Sequence, residues 1–157
     1  MVLATVGENG KISIFNKFGS THVVADVLGC FSDDAAGRFV ALTPSRALDT
    51  RVGLGAPKAP VGQTPVMVKL AGHNGVPSDG VSSVLLNVTA VSPTAATFVT
   101  VFPSDQQRPN AANLNAVAGQ VIPNTVLGRL GPDGSVAIYN HGGVVDLVAD
   151  VMGYFTN

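Results

Sequence analysis

Tryptophan is absent, and cysteine occurs once, as Cys30. A lone cysteine excludes an internal disulfide. Charge is scarce: Lys, Arg, Asp and Glu make up 12% of the chain, with a net charge of −1, where about 25% is usual. No basic field is available to hold a nucleic-acid backbone. No polybasic or Lys-rich amphipathic run suits a membrane surface. No apolar run reaches the ~18–20 residues that would cross a bilayer as a helix, so no membrane insertion is expected. Met1 to Gly10 lacks the basic stretch that opens a signal peptide. Helical periodicity is missing too. No window of about 11 residues combines i, i+3, i+4 apolar spacing with capping residues.

What is present is apolar and full of turns. Hydrophobic residues reach 46%, with 18 glycines and 10 prolines. So little charge beside so much apolar surface suggests that part of the exterior is covered by another module or chain. Length fits one domain with a sizeable core.

The clearest pattern is a repeat. Residues 131–155 are spelled once before, at 7–31, and a shift of 124 residues superposes the two without a gap. Gly7, Gly10, Ile14, Asn16, Gly19, Val24, Ala25, Asp26, Val27, Gly29 and Phe31 fall on Gly131, Gly134, Ile138, Asn140, Gly143, Val148, Ala149, Asp150, Val151, Gly153 and Phe155. Self-similarity over such a period indicates whole domains in tandem. Residues 1–31 read as the three-strand carboxyl-terminal tail of a preceding module, 32–37 as a polar linker, and 38–157 as a complete module. Three strands alone are too few to hold a fold. The tail is therefore expected to pair with the second module or with another chain, by strand complementation at an open sheet edge.

Within the module, strand-like runs cover 39–51, 65–71, 81–91, 97–102, 113–117 and 121–130, and the repeated stretch supplies a closing pair. Val84, Leu86, Val88 and Ala90 alternate cleanly. Gly, Pro and Asn separate the runs. This spacing predicts an all-β antiparallel sandwich, jelly-roll-like and almost without helix.

The chain also resembles a repeat module of secreted and cell-surface actinobacterial proteins. The matching pieces are Phe39–Arg51 (FVALTPSRALDTR), Val84–Ala96 (VLLNVTAVSPTAA), Thr100–Ser104, Arg108-Pro109 with Asn113–Asn115, and the stretch from Asp133-Gly134 to Phe155. The resemblance covers 38–155 in full and 1–31 as the tail of a preceding copy. It implies a non-catalytic appendage of an extracellular or surface protein, found in tandem or beside hydrolase domains. A cell-wall or glycan-binding role is usually inferred from that company.

Catalytic signatures are missing from the residues themselves. His22, His73 and His141 sit in no motif, and no nucleophile elbow, zinc helix or phosphate loop is spelled. Asp33, Asp34, Asp105 and Asp133 could offer oxygen to calcium, but at no recognisable spacing. We expect neither a metal nor a cofactor. Asp26 and Asp150 stand inside strands otherwise rich in Val and Ala. A carboxylate there needs a partner. Arg46, Asp49 and Arg51 crowd one strand, so Asp150 is expected to meet Arg46, Arg51 or nearby amides. Asn16 and Asn140 precede turns and are expected to form them through their side chains. Cys30, replaced by Tyr154 in the other copy, reads as a small core residue. Exposed aromatics for stacking on sugar rings are few. Tyr139 and Tyr154 are expected to face core or partner, which leaves Gln106–Arg108 and Asn110–Asn115 as polar candidates.

The expectation is a structural or assembly module, its units joined through β-strand sharing on a cell surface or in a fibre. The partners would be neighbouring identical modules or chains. The alternative is a carbohydrate- or cell-wall-binding module.

Overall fold

The computed structural model describes residues 1–35 and 37–157. Eight strands form: β1 (Phe39–Asp49), β2 (Val66–Lys69), β3 (Val81–Val91), β4 (Thr97–Pro103), β5 (Leu114–Ala116), β6 (Val121–Arg129), β7 (Ser135–Asn140) and β8 (Asp146–Thr156). They build two antiparallel sheets, β1-β8-β3-β6 and β2-β7-β4-β5. That order over eight strands is a jelly roll, and the described residues contain no helix.

Alternation decides which side chains enter the core. Val84, Leu86, Val88 and Ala90 of β3 meet Leu147, Ala149 and Val151 of β8, and Val136 and Ile138 of β7 close the layer from the other sheet. Each large aliphatic side chain of this kind contributes about 1.5–3 kcal/mol when fully buried.

The outer strands are protected against further pairing. Pro44 lies in β1 and Pro123 in β6, the two edges of the first sheet. Proline offers no ladder donor, so edges tolerate it and use it to stop growth. The ladder of β1 slips between Ala41 and Ser45, around Pro44. The edges of the second sheet, β2 and β5, are only 4 and 3 residues long.

The last two strands occupy the middle of both sheets. β7 pairs with β2 and β4, and β8 pairs with β1 and β3. The carboxyl-terminal strand pair, one strand in each sheet, is thus the piece that joins each sheet's two halves.

Residues 1–31 depart from expectation. Three strands are expected there, and none forms. Leu3, Ile12, Ile14 and Val24 are exposed, and so is Cys30, which is not a core residue. The reason is the central position just described. A strand made to sit between two others needs both neighbours, and in this chain β7 and β8 already occupy those places. The segment lies against the sandwich at only a few points. The Met1 ammonium donates to Asn124 Oδ1 at 3.1 Å, and the Phe31 and Phe155 rings lie 6.0 Å apart.

Candidate functional site

The two copies of the repeat can be compared atom by atom. Gly131 N donates to Ser135 O at 2.9 Å and Gly134 N to Gly131 O at 2.8 Å. In the first copy Gly7 N donates to Lys11 O at 3.0 Å and Gly10 N to Gly7 O at 2.9 Å. Gly10 and Gly134 both take the left-handed conformation this turn needs, at φ 69° and 73°. The second turn matches as well. Asn140 Nδ2 donates to the carbonyls of Gly142 and Gly143 at 3.2 and 3.1 Å. Asn16 Nδ2 donates to Phe18 and Gly19 at 2.9 Å each. Both turns of 7–31 are therefore formed while the stretches beside them pair with no strand among the described residues.

Burial separates the copies. Ile138, Val148 and Val151 are 0%, 5% and 0% exposed, whereas Ile14, Val24 and Val27 are 61%, 88% and 91% exposed. Asn140 is tied further into the body: it donates to Val61 O at 3.0 Å and accepts from Thr97 Oγ1 at 2.6 Å. Asn16 has neither partner among the described residues.

A polar network joins β1 to β8. Arg46 Nε donates to Asp150 Oδ1 at 2.9 Å, and Arg46 Nη1 to Asp49 Oδ2 at 3.3 Å. Arg51 grips Asp49 with Nε and Nη2, at 2.9 and 2.7 Å, and with its backbone amide at 3.1 Å. Asp49 is the buried member, while Asp150 lies on the outer face of its sheet, half-buried. Arg51's side-chain hydrogen bonds hold the Asp49 carboxyl down to about 2, helped by its backbone amide and by both guanidinium charges, against burial, which pushes it up. The bond to Asp150 raises the Arg46 guanidinium in turn. Thr50, buried beside them, donates to Asp146 Oδ1 and accepts from Leu147 N. The structure thus brings together Arg46, Asp49, Arg51 and Asp150. Asn140 stands apart at its own turn, and Asp26 and Asn16 lie in the unpaired copy. The network locks the closing strand to the edge strand.

An aromatic group lies on the outer face of the second sheet. Phe98 of β4 stacks on His141 with centroids 4.4 Å apart and planes 14° apart. Tyr139 of β7 is tilted beside both, at 6.3 and 6.4 Å. The Arg108 guanidinium stands 4.7 Å from the Tyr139 centroid and 5.8 Å from that of Phe98, within cation–π range. Tyr139 therefore faces outward rather than into the core, whereas Tyr154 packs against the core. Phe98 and Tyr139 carry the opposite alternation phase from Val99 and Ile138, which is a legible signal. That β4 and β7 are neighbours is not written locally.

An open cleft at one end of the sandwich is lined by Lys69, Asp79, Asp105, Arg129 and Asp133. Its charges are mixed, and Asp133 is already held by the Ser104 hydroxyl and the Ser135 amide. Those bonds, Ser104's foremost, lower the Asp133 carboxyl. Among the described residues no three His, Cys, Asp or Glu side chains gather as metal ligands would.

No family model matches this chain, and neither a curated protein nor a solved structure does. Functional inference thus rests on the chain's own geometry and on its internal repeat.

Proposed function

We propose that this protein is a non-catalytic structural and assembly module, of the extracellular or cell-surface kind, whose units are joined by sharing β-strands. The bare copy of the closing strand pair carries this reading. Its turns are built, its apolar side chains are uncovered, and its sequence is that of strands at home in the centre of a sandwich. Completing the burial of side chains such as Ile14, Val24 and Val27 would contribute about 1.5–3 kcal/mol each. Head-to-tail sharing of this sort does not close on itself and extends into fibres or arrays. Sedimentation velocity over a wide concentration range tests the reading. The 157-residue chain associates as concentration rises, while residues 38–157, which contain all eight strands, stay monomeric. A full chain that remains a monodisperse monomer throughout overturns it.

A second reading, carbohydrate or cell-wall binding, draws on the Phe98, Tyr139, His141 and Arg108 group. Half-buried rings on a sheet face can stack on sugars through their open edges, with a guanidinium for hydroxyls. The first reading is better supported, because Arg108 and His141 already cover faces of Tyr139 and Phe98.

A further inference from the structure

We infer that residues 7–31 are a closing strand pair, one strand for each sheet, for an open β-sandwich body related to this chain's own six-strand body, yet distinct from it at one loop. This rests on the assembly reading and names the partner that the exposed segment fits.

A second copy of this chain is a poor partner, though not an impossible one at high concentration. In a second copy of this chain, the slots between β2 and β4 and between β1 and β3 are filled by β7 and β8. Entry of 7–31 would displace the very strands it resembles and uncover as much apolar surface as it covers. The free edges invite pairing no better, with prolines in β1 and β6 and very short strands at β2 and β5. Self-association is therefore weak, and a body with vacant central slots is the fitting partner.

Four features of 7–31 match what such a body would demand. Asp26 falls where Asp150 meets Arg46, and Asn16 falls where Asn140 meets Val61 O and Thr97 Oγ1. Gly19 keeps the left-handed turn of Gly143, at φ 62° against 56°. Gly29 falls where Gly153 lies bare beneath the Phe39 ring. A Cβ at Gly153 would come within 2.5 Å of that ring and 2.7 Å of Val40 O. In its present surroundings Gly29 needs no such bareness: its nearest neighbour would be Leu127 Cδ2 at 3.7 Å, an ordinary contact.

One of the mismatched positions discriminates between bodies. Phe18 falls on Gly142, where a Cβ would stand 2.7 Å from the Ala96 backbone carbonyl. The turn at 94–97 of this chain thus has no room for a phenylalanine. The acceptor is a body with Arg46-, Thr97- and Phe39-like groups and a recessed turn at the position of 94–97. Phe18 lowers the affinity of this strand pair for bodies like its own, so sharing between copies of this chain needs high concentration.

Placing a second copy of residues 38–124 directly before Met1 supplies such a body, since Met1 falls on Thr125. Hydrogen exchange of the fused chain is measured with Phe18 kept, with Phe18→Gly, and with Phe18→Gly plus Gly29→Val. The Phe18→Gly chain is expected to slow the amides of 12–15 and 23–28 by roughly 100-fold or more over the 157-residue protein, the sign of a cooperatively closed unit. Gly29→Val is expected to abolish that protection, yet to leave exchange in the 157-residue protein unchanged. Unprotected amides in the Phe18→Gly chain, with 38–157 still folded, overturn the closing role. Equal protection with Phe18 kept overturns the selectivity. Neither result bears on the sedimentation experiment, which decides the assembly reading separately.

Discussion

Asn16 and Asn140 donate the same pair of amide hydrogen bonds, each to the carbonyls two and three residues ahead, although one side chain is exposed and the other fully buried. The turn is a local property of the sequence. The further bonds of Asn140, to Val61 and from Thr97, belong to the body around it. The two residues separate what a short stretch does alone from what its surroundings add.

That separation can be measured. Asn140→Ala removes two buried hydrogen bonds, to the Val61 carbonyl and from the Thr97 hydroxyl, while Val145 N still donates to Val61 O and Gly142 N to Thr97 Oγ1, and it is expected to cost about 1–3 kcal/mol at the usual ~0.5–1.5 kcal/mol per bond. Asn16→Ala is expected to stay within about 0.5 kcal/mol, as exposed substitutions usually do. Urea unfolding of both variants gives the comparison, and equal losses would contradict it.

The Asp49 cluster predicts acid sensitivity. The carboxyl is held near 2, below its unfolded value of 3.8. A depressed carboxylate stabilises the fold at every pH above the unfolded value and loses that contribution as pH falls through the folded one. Stability is therefore expected to decline from about pH 4 to about pH 2. Asp49→Asn should flatten that decline. Asp150→Asn should cost less at neutral pH, about 0.5–1 kcal/mol, because its partner Arg46 is largely solvated. Thermal melts across this range distinguish the two carboxylates.

Gly153 is required by a close approach. Gly153→Val would drive a side chain into the Phe39 ring and Val40 O, and overpacking of this kind costs about 1–3 kcal/mol. Calorimetry should show a lowered midpoint. A Phe39→Ala background should restore part of it, by making room over the glycine.

The aromatic group offers a direct test of the glycan reading. If sugars stack there, the wild-type protein binds purified peptidoglycan or an insoluble glycan saturably, and Tyr139→Ala reduces retention at least ~10-fold, as losing ~1.5 kcal/mol of stacking implies. Retention that does not saturate, or that Tyr139→Ala leaves untouched, removes that reading.

The strands of the module were legible because alternation is a local signal. Val84, Leu86, Val88 and Ala90 announce both β3 and its inward face, and Pro132-Asp133-Gly134 announces the turn before β7. Tyr139 was not legible in the same way. Its phase is opposite to that of Ile138, but only the pairing of β7 with β4 sets it beside Phe98, and only the following loop brings Arg108 over it. The partner of Asp150 was open among Arg46, Arg51 and amides. The ladder of β1 with β8 places Arg46 opposite Asp150 and turns Arg51 back to Asp49.

The repeat itself marks the boundary between the two levels. Sequence alone determined the turns of 7–31, because a left-handed glycine and an asparagine amide bonding two and three residues ahead need nothing beyond their neighbours in the chain. Whether the intervening residues become strands was decided only by tertiary structure. A central strand draws its hydrogen bonds and its burial from both flanking strands, and one chain holds a single set of those flanks, already taken by 135–140 and 146–156.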